Sequence, residues 1–324
     1  LKLEEIYALA VNTGIKADPR GKREIDRLLK KQSEAYDKLD EEKKAEFDQE
    51  RLTNPFADTR MLNGDPGTEV GSILAGVDME TQELLLADRL REKGRSIDLV
   101  MAHHPEGKSL AALADVMPVQ ADIWHQAGVP INIGEAVLEG RQGEVMRSVL
   151  PLNHQRPVMA AELLDLPFMC VHTPCDNLVT SRLQKHFNRK KENITLDEVC
   201  DELKKYPEYA EAARQNAGPT IVVGKGGRRA GRILVDMTGG TGGPAESIEK
   251  LADAGVGTLV GMHISEKNRK KAEEHNINVV IAGHDASDSI GMNLFLDELE
   301  KKGIEILPCS GLIRVSRVKK KKKK

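Results

Sequence analysis

Between Ser72 and Pro308 the chain alternates short apolar runs with helical stretches, and most of the runs stop abruptly on polar residues. "SILAGVD" (72–78), "IDLVMAH" (97–103), "PFMCVHT" (167–173), "RILVDM" (232–237), "GTLVGMH" (257–263) and "INVVIAGH" (277–284) are short and mostly rich in Val, Ile or Leu, so each is a predicted strand. "TIVVG" (220–224), "IEILP" (304–308) and "GLIRVSRV" (311–318) add further strands. The stretches between them, such as "METQELLLADRLREKG" and "SEKNRKKAEEHN", read as helices. Strand–helix–strand alternation requires crossover connections, and so an α/β fold with parallel or mixed sheets. Two lobes are expected, at 70–176 and 218–318, either side of a polar helical middle at 177–217.

The remaining segments differ in character. Residues 1–69 form a charged, helical N-terminal extension, because Gly21–Leu52 has no Gly or Pro after Gly21 and pairs Glu with Lys at helical spacing. "NPFADTRMLNGDPG" (54–67) is dense in turn residues and reads as a connector. Lys319–Lys324 reads as a solvated tail. The formal net charge of −3 includes those six lysines, so the body of the protein is more acidic still. An acidic body with 3% aromatic residues speaks against a nucleic-acid partner. Four cysteines at 170, 175, 200 and 309 form no C-x-x-C pair, which points to a reduced, cytoplasmic protein. No apolar stretch approaches the roughly 20 residues that span a bilayer, and "LKLEEIYALA" lacks the marks of a signal peptide. No solenoid-type repeat is present.

Ligands of open α/β sheets collect beyond the carboxyl ends of the strands. Four such ends carry five of the nine histidines: His103 and His104, His172 with Asp176 after it, His263, and His284 with Asp285 and Asp288. Adjacent side chains within a strand face opposite ways, so His103 and His104 converge only if the strand has ended, as Pro105 suggests. A single strand-end histidine is more often a hydrogen-bonded structural residue than a ligand; the cluster points elsewhere. Imidazole with carboxylate and no thiolate suits Zn, Mn, Fe, Co or Ni. Three or four histidines and two aspartates exceed the needs of one ion, which implies two. His284 and Asp288 share one face if a helix begins there. "TGGTGGPAES" (238–247) reads either as a tight turn or as a phosphate loop opening a helix, with Pro244 at the first helical position. No G-x-S-x-G elbow supports a serine hydrolase. Cys175 reads as a small packing residue, and His125, His154, His186 and His275 as structural or surface residues.

Three motifs in order, "LVMAHHP", "VHTPCD" and "AGHDASD", together with the "GGTGG" loop, resemble the Nif-three-like family (NGG-one-interacting factor three) over Ser72–Arg317. Members of that family often carry the label GTP cyclohydrolase one type two. The resemblance implies a two-lobed α/β Nif-three-like fold and a dinuclear metal site. Its ligands would be His103, His104, Asp176, His284 and Asp288, with Asp176 or Asp288 bridging. His172 would be a lesser ligand or the partner of one, and His172 or His263 would carry protons. The family also implies a homo-oligomer, commonly a hexameric toroid. The chain departs from the family in having Asp288 for the usual Glu and "VGMH" for a T-G-E or T-G-D element, which places His263 where an acid is usual. The W-D-N element and the optional inserted domain are missing. The expected function is a metal-dependent hydrolase acting on a nucleotide or phosphoester-like small molecule. The alternatives are a non-catalytic metal-binding scaffold that binds a partner, and a GTP cyclohydrolase-type activity, although no guanine-reading residues are visible.

Overall fold

The structure is a computed structural model that describes residues 1–190 and 193–319; beyond Lys319 the lysine tail lies outside the described residues. The first sheet contains β1 (Arg60–Asn63), β2 (Ser72–Gly76), β3 (Leu99–Ala102) and β4 (Phe168–Cys170). The second contains β5 (Thr220–Val223), β6 (Ile233–Asp236), β7 (Thr258–Gly261) and β8 (Asn278–Ile281). A last strand, β9 (Glu305–Pro308), returns to the first sheet beside β2. The fold is α/β with mixed sheets, as the strand–helix alternation requires.

The two sheets share one plan. Their orders are β1-β4-β3-β2-β9 and β5-β8-β7-β6. In each, the first strand runs antiparallel at the edge next to the last of three parallel strands. β2 and β3 are buried along their whole length, as strands covered on both faces must be. The helices following β4 (Thr173–Phe187) and β8 (His284–Glu300) pack on each other and bring the two carboxyl ends together.

Three expectations about organisation need correcting. Residues 1–69 are not one appended extension. Helix Leu3–Ala17 buries Leu3, Ile6 and Ala10 in the core of the first lobe, an apolar stripe overshadowed in the sequence by the charged segment 21–52 that follows it. Only helices Lys22–Tyr36 and Glu41–Glu46 are exposed and charged, with Ile25 the one buried residue between them. The connector 54–67 contains β1, a strand too short to show periodicity. Its Arg60 is fully buried and held by Asp48 and by the carbonyls of Phe56 and Thr59. Finally, 218–318 is not one lobe, because β9 belongs to the first sheet.

"GLIRVSRV" forms no strand. Side chains of helix His284–Glu300 replace a neighbouring strand. Ile313 N–H donates to Ser289 Oγ (2.9 Å), Asn293 Nδ2 donates to the Ile313 carbonyl (2.8 Å), and Arg317 N–H donates to Asp297 Oδ2 (3.2 Å). The C-terminal strap is thereby tied to the helix that carries Asp288.

Candidate metal centre

β3 ends at Ala102, and the next two amides still follow the sheet: His103 N–H donates to the Gly76 carbonyl (2.9 Å) and His104 N–H to the Val77 carbonyl (3.0 Å). The chain then turns, and both imidazoles enter one space with ring centroids 5.3 Å apart. His172 joins them after β4, 4.9 Å from the His103 ring, and His284 lies 5.2 Å from the His104 ring. His263, from the end of β7, extends the row at 5.3 Å from His284. All five strand-end histidines singled out from the sequence are therefore neighbours. Asp176 sits in the first turn of its helix and Asp288 just past the first turn of the other, and both are almost fully buried.

The hydrogen bonds decide which ring nitrogen is free. His103 Nδ1 lies 3.1 Å from the Val171 carbonyl oxygen, which can only accept, so Nδ1 carries the hydrogen and Nε2 presents its lone pair. That lone pair faces Asp176 Oδ1 at 3.3 Å and Asp288 Oδ1 at 3.4 Å. His172 Nδ1 donates to Asp58 Oδ2 (2.8 Å) and His104 Nδ1 to Asp78 Oδ1 (2.6 Å), so their Nε2 atoms turn the same way. Acceptor faces acceptor throughout. His103 Nε2, Asp176 Oδ1 and both oxygens of Asp288 are buried with no hydrogen-bond partner. Uncompensated, such groups cost several kcal/mol each, on the order expected for unpaired buried charges. A cation reconciles them, and this donor set fits a divalent metal. Three groups have the necessary convergence: His103, His104 and His172; His104, His284 and Asp288; and His103, Asp176 and Asp288.

The titration behaviour shows the same demand. Burial alone would lower the His103 pKa, but the Asp288 charge and contacts with Asp176 and Asp288 hold it well above its ordinary value. Burial would raise Asp288, and the His103 charge reverses this and lowers it. A proton on Nε2 thus occupies the place a metal would take, and the two compete. His263, more exposed, is pushed down by desolvation and then by the charge of His284. Glu106, just past the H-H-P turn, is pushed up to about 7 by burial, then by Glu80 and Asp78.

Two features of the site were not recognised in the sequence. Asp58 lay in the supposed connector. It is fully buried, accepts from His172 Nδ1 and from Thr173 Oγ1 (2.6 Å), and so fixes the His172 ring. Burial would raise its pKa, but the His172 hydrogen bond and charge keep it low. The other is Gly291, where the helices bearing Asp176 and Asp288 cross: a Cβ there would lie 2.4 Å from the Cys175 carbonyl oxygen. Gly291→Ala must therefore push the helices apart. A loss of about 1–3 kcal/mol in urea unfolding is expected, the usual range for overpacking.

A cavity of about 960 Å³ opens beside the cluster and is lined by His172, Asp176, His263, His284 and Asp288. It continues over the glycine-rich loop 239–243, with Arg141 and Asp236 on its walls. Burial pushes Asp236 up to about 6. The following helix is Glu246–Asp253, so Pro244 precedes it rather than occupying its first position; the Pro244 carbonyl accepts from Ser247 N–H instead. The four cysteines are free, and Cys175 packs beside Met292 with their sulfurs 3.5 Å apart. Among the described residues, no helix is long and apolar enough to cross a membrane.

Fold and site together give two α/β lobes of NIF3-like fold whose strand ends join in a His/Asp cluster. The chain is similar to a solved NIF3 superfamily protein from Sphaerobacter thermophilus, at 25% identity and a TM-score of 0.70, over 81% of this chain and 94% of that one. Reduced HcgD from Methanocaldococcus jannaschii is more distant, at 16% identity and a TM-score of 0.49, over 77% and 87% of the two chains. A Bacillus cereus protein related to NIF3 has 11% identity and a TM-score of 0.42, over 82% and 91%. No family model and no curated protein matches the chain.

Proposed function

We propose that the protein is a dinuclear divalent-metal hydrolase acting on a nucleotide or phosphoester-like small molecule in a reducing, cytoplasmic setting. The observation that carries the reading is the set of four buried, unpartnered atoms on His103, Asp176 and Asp288 beside an open cavity. His103, His104, Asp176, His284 and Asp288 would hold the ions, and Asp288 could serve both: Oδ1 faces His103 Nε2, while Oδ2 lies 3.6 Å from His104 Nε2 and 3.5 Å from His284 Nε2. Divalent ions held there would supply Lewis acidity and make water acidic enough to attack near neutral pH. The protein's own part is to fix the ligands, with Asp78 and Asp58 orienting His104 and His172 through Nδ1. His263 borders both the cluster and the cavity, where it can pass a proton between a bound molecule and solvent.

A purely structural metal site is closed on all sides, whereas this one adjoins a large cavity; that favours catalysis over a scaffold role. The GTP cyclohydrolase-type activity belongs to the same chemical class and needs the same machinery. The test is a panel of phosphoesters, nucleotides and amides offered to the metal-loaded protein. Turnover of one class is expected, and failure on every class with the metal retained would leave the scaffold. Asp58→Asn is expected to weaken metal binding about 10–100-fold, the usual effect of losing a carboxylate that orients a ligand, as measured by chelator competition.

A further inference from the structure

The glycine-rich loop at the far wall of the cavity has an unusual hydrogen-bond arrangement. Four of its five carbonyls accept from protein side chains. Gln120 Nε2 donates to the carbonyls of Gly239 (2.9 Å) and Thr241 (2.5 Å), Arg141 Nε to that of Gly242 (3.2 Å), and Asn268 Nδ2 to that of Gly243 (2.9 Å). In a trans peptide the N–H points opposite to its carbonyl. Three of these four peptide units end in an N–H, on Gly240, Gly242 and Gly243; the fourth leads into Pro244. Among the described residues none of those three amides donates a hydrogen bond.

The loop could not keep this form with other side chains. Gly239 and Gly240 have φ of 104° and 78°. A Cβ at Gly239 would lie 2.6 Å from Gln120 Cγ, and one at Gly243 would lie 2.9 Å from Trp124. Gln120 is itself buried and spends its amide nitrogen on the loop. Of the nearby acidic groups, Glu144 is paired with Arg141 Nη1 (2.9 Å) and Glu246 with Lys267 (3.2 Å), while burial pushes Asp236 up to about 6 and so favours its neutral form. Successive amides directed away from a scaffold make an anion-binding concavity.

We infer that the amides of Gly240, Gly242 and Gly243, with the Arg141 guanidinium beside them, bind a phosphate group of the substrate that is not the group being hydrolysed. This inference rests on the hydrolase reading and specifies its substrate class: a phosphomonoester with a separate scissile group. The geometry assigns the two roles. A Cβ at Gly242 would lie 3.5 Å from the His263 ring, and His263 in turn lies against His284. The loop is thus one imidazole beyond the cluster. A phosphate anchored there would leave the rest of the molecule extending past His263 to the site of attack. Remote binding of this kind holds the reacting group in position.

The test is titration of the metal-loaded full chain, carrying ¹⁵N-glycine, with inorganic phosphate, followed by amide NMR with metal content measured in parallel. Saturable shifts at Gly240, Gly242 and Gly243 are expected. In Arg141→Ala, phosphate affinity should fall about tenfold, as for loss of a charge-assisted contact and a loop anchor, with metal content unchanged. Gly242→Ala, whose Cβ meets only an ordinary contact at 3.5 Å, keeps the fold and should weaken phosphate binding by covering the amides. Unshifted loop glycines with the metal bound would overturn the phosphate site alone. Phosphate binding that disappears when the metal is removed, with no loop shift, would place the anion on the ions and overturn it as well. Absence of metal would instead count against the hydrolase reading.

Discussion

Replacing Asp288 with asparagine is expected to weaken metal binding at least a hundredfold, because one carboxylate faces the imidazoles of His103, His104 and His284 and its loss affects every ion it touches. The effect on folding should be small or opposite in sign. In the metal-free protein, Asp288 is a buried anion facing His103 Nε2, and its charge favours a proton on that nitrogen. An asparagine amide can donate to the Nε2 lone pair and carries no charge to desolvate. Metal affinity and metal-free stability should therefore separate: chelator competition shows the loss, while urea unfolding of the metal-free variant matches or exceeds wild type. A variant that kept its metal would show that Asp288 is not the shared ligand.

Arg317→Ala is expected to lower stability by about 3 kcal/mol, the lower end of the range for breaking a buried ion pair. Glu208 is fully buried, and both its oxygens accept from Arg317 Nη2, at 2.7 and 3.0 Å. Without Arg317 only Asn293 Nδ2 (2.8 Å) remains on that carboxylate. The lower end applies because Arg317 is 27% exposed, so water can partly replace it. Arg314 still holds Asp297 (2.8 Å), so the strap is loosened rather than released. Urea unfolding measures the loss, and adding Glu208→Gln should recover part of it by removing the stranded charge.

The sequence exposed the site more fully than the fold. Every strand-end histidine was visible because an apolar run of that length must stop, and a polar residue at the stop is unexpected in a strand. The pairing of His104 with Asp78 and of His172 with Asp58 could not be read, since the partners are 26 and 114 positions apart. β1 was hidden by its turn-rich flanks, and helix Leu3–Ala17, with its stripe of Leu3, Ile6 and Ala10, by the highly charged segment 21–52 that follows it. "GLIRVSRV" has strand propensity, yet the helix beside it satisfies its backbone through Ser289, Asn293 and Asp297. That is a tertiary decision no local pattern encodes. The recurrence of His-x-x-x-Asp at His172–Asp176 and His284–Asp288 was the available signal that the lobes share a plan.

The most direct test is the metal content of the purified wild-type chain by elemental analysis, after exposure to Zn, Mn, Fe, Co and Ni in turn. Two ions per chain are expected, with Asp288 among the residues that would hold them. No uptake of any of the five metals would contradict this account: the unpartnered atoms of His103, Asp176 and Asp288 would then be satisfied by protons alone, and the cluster would be structural.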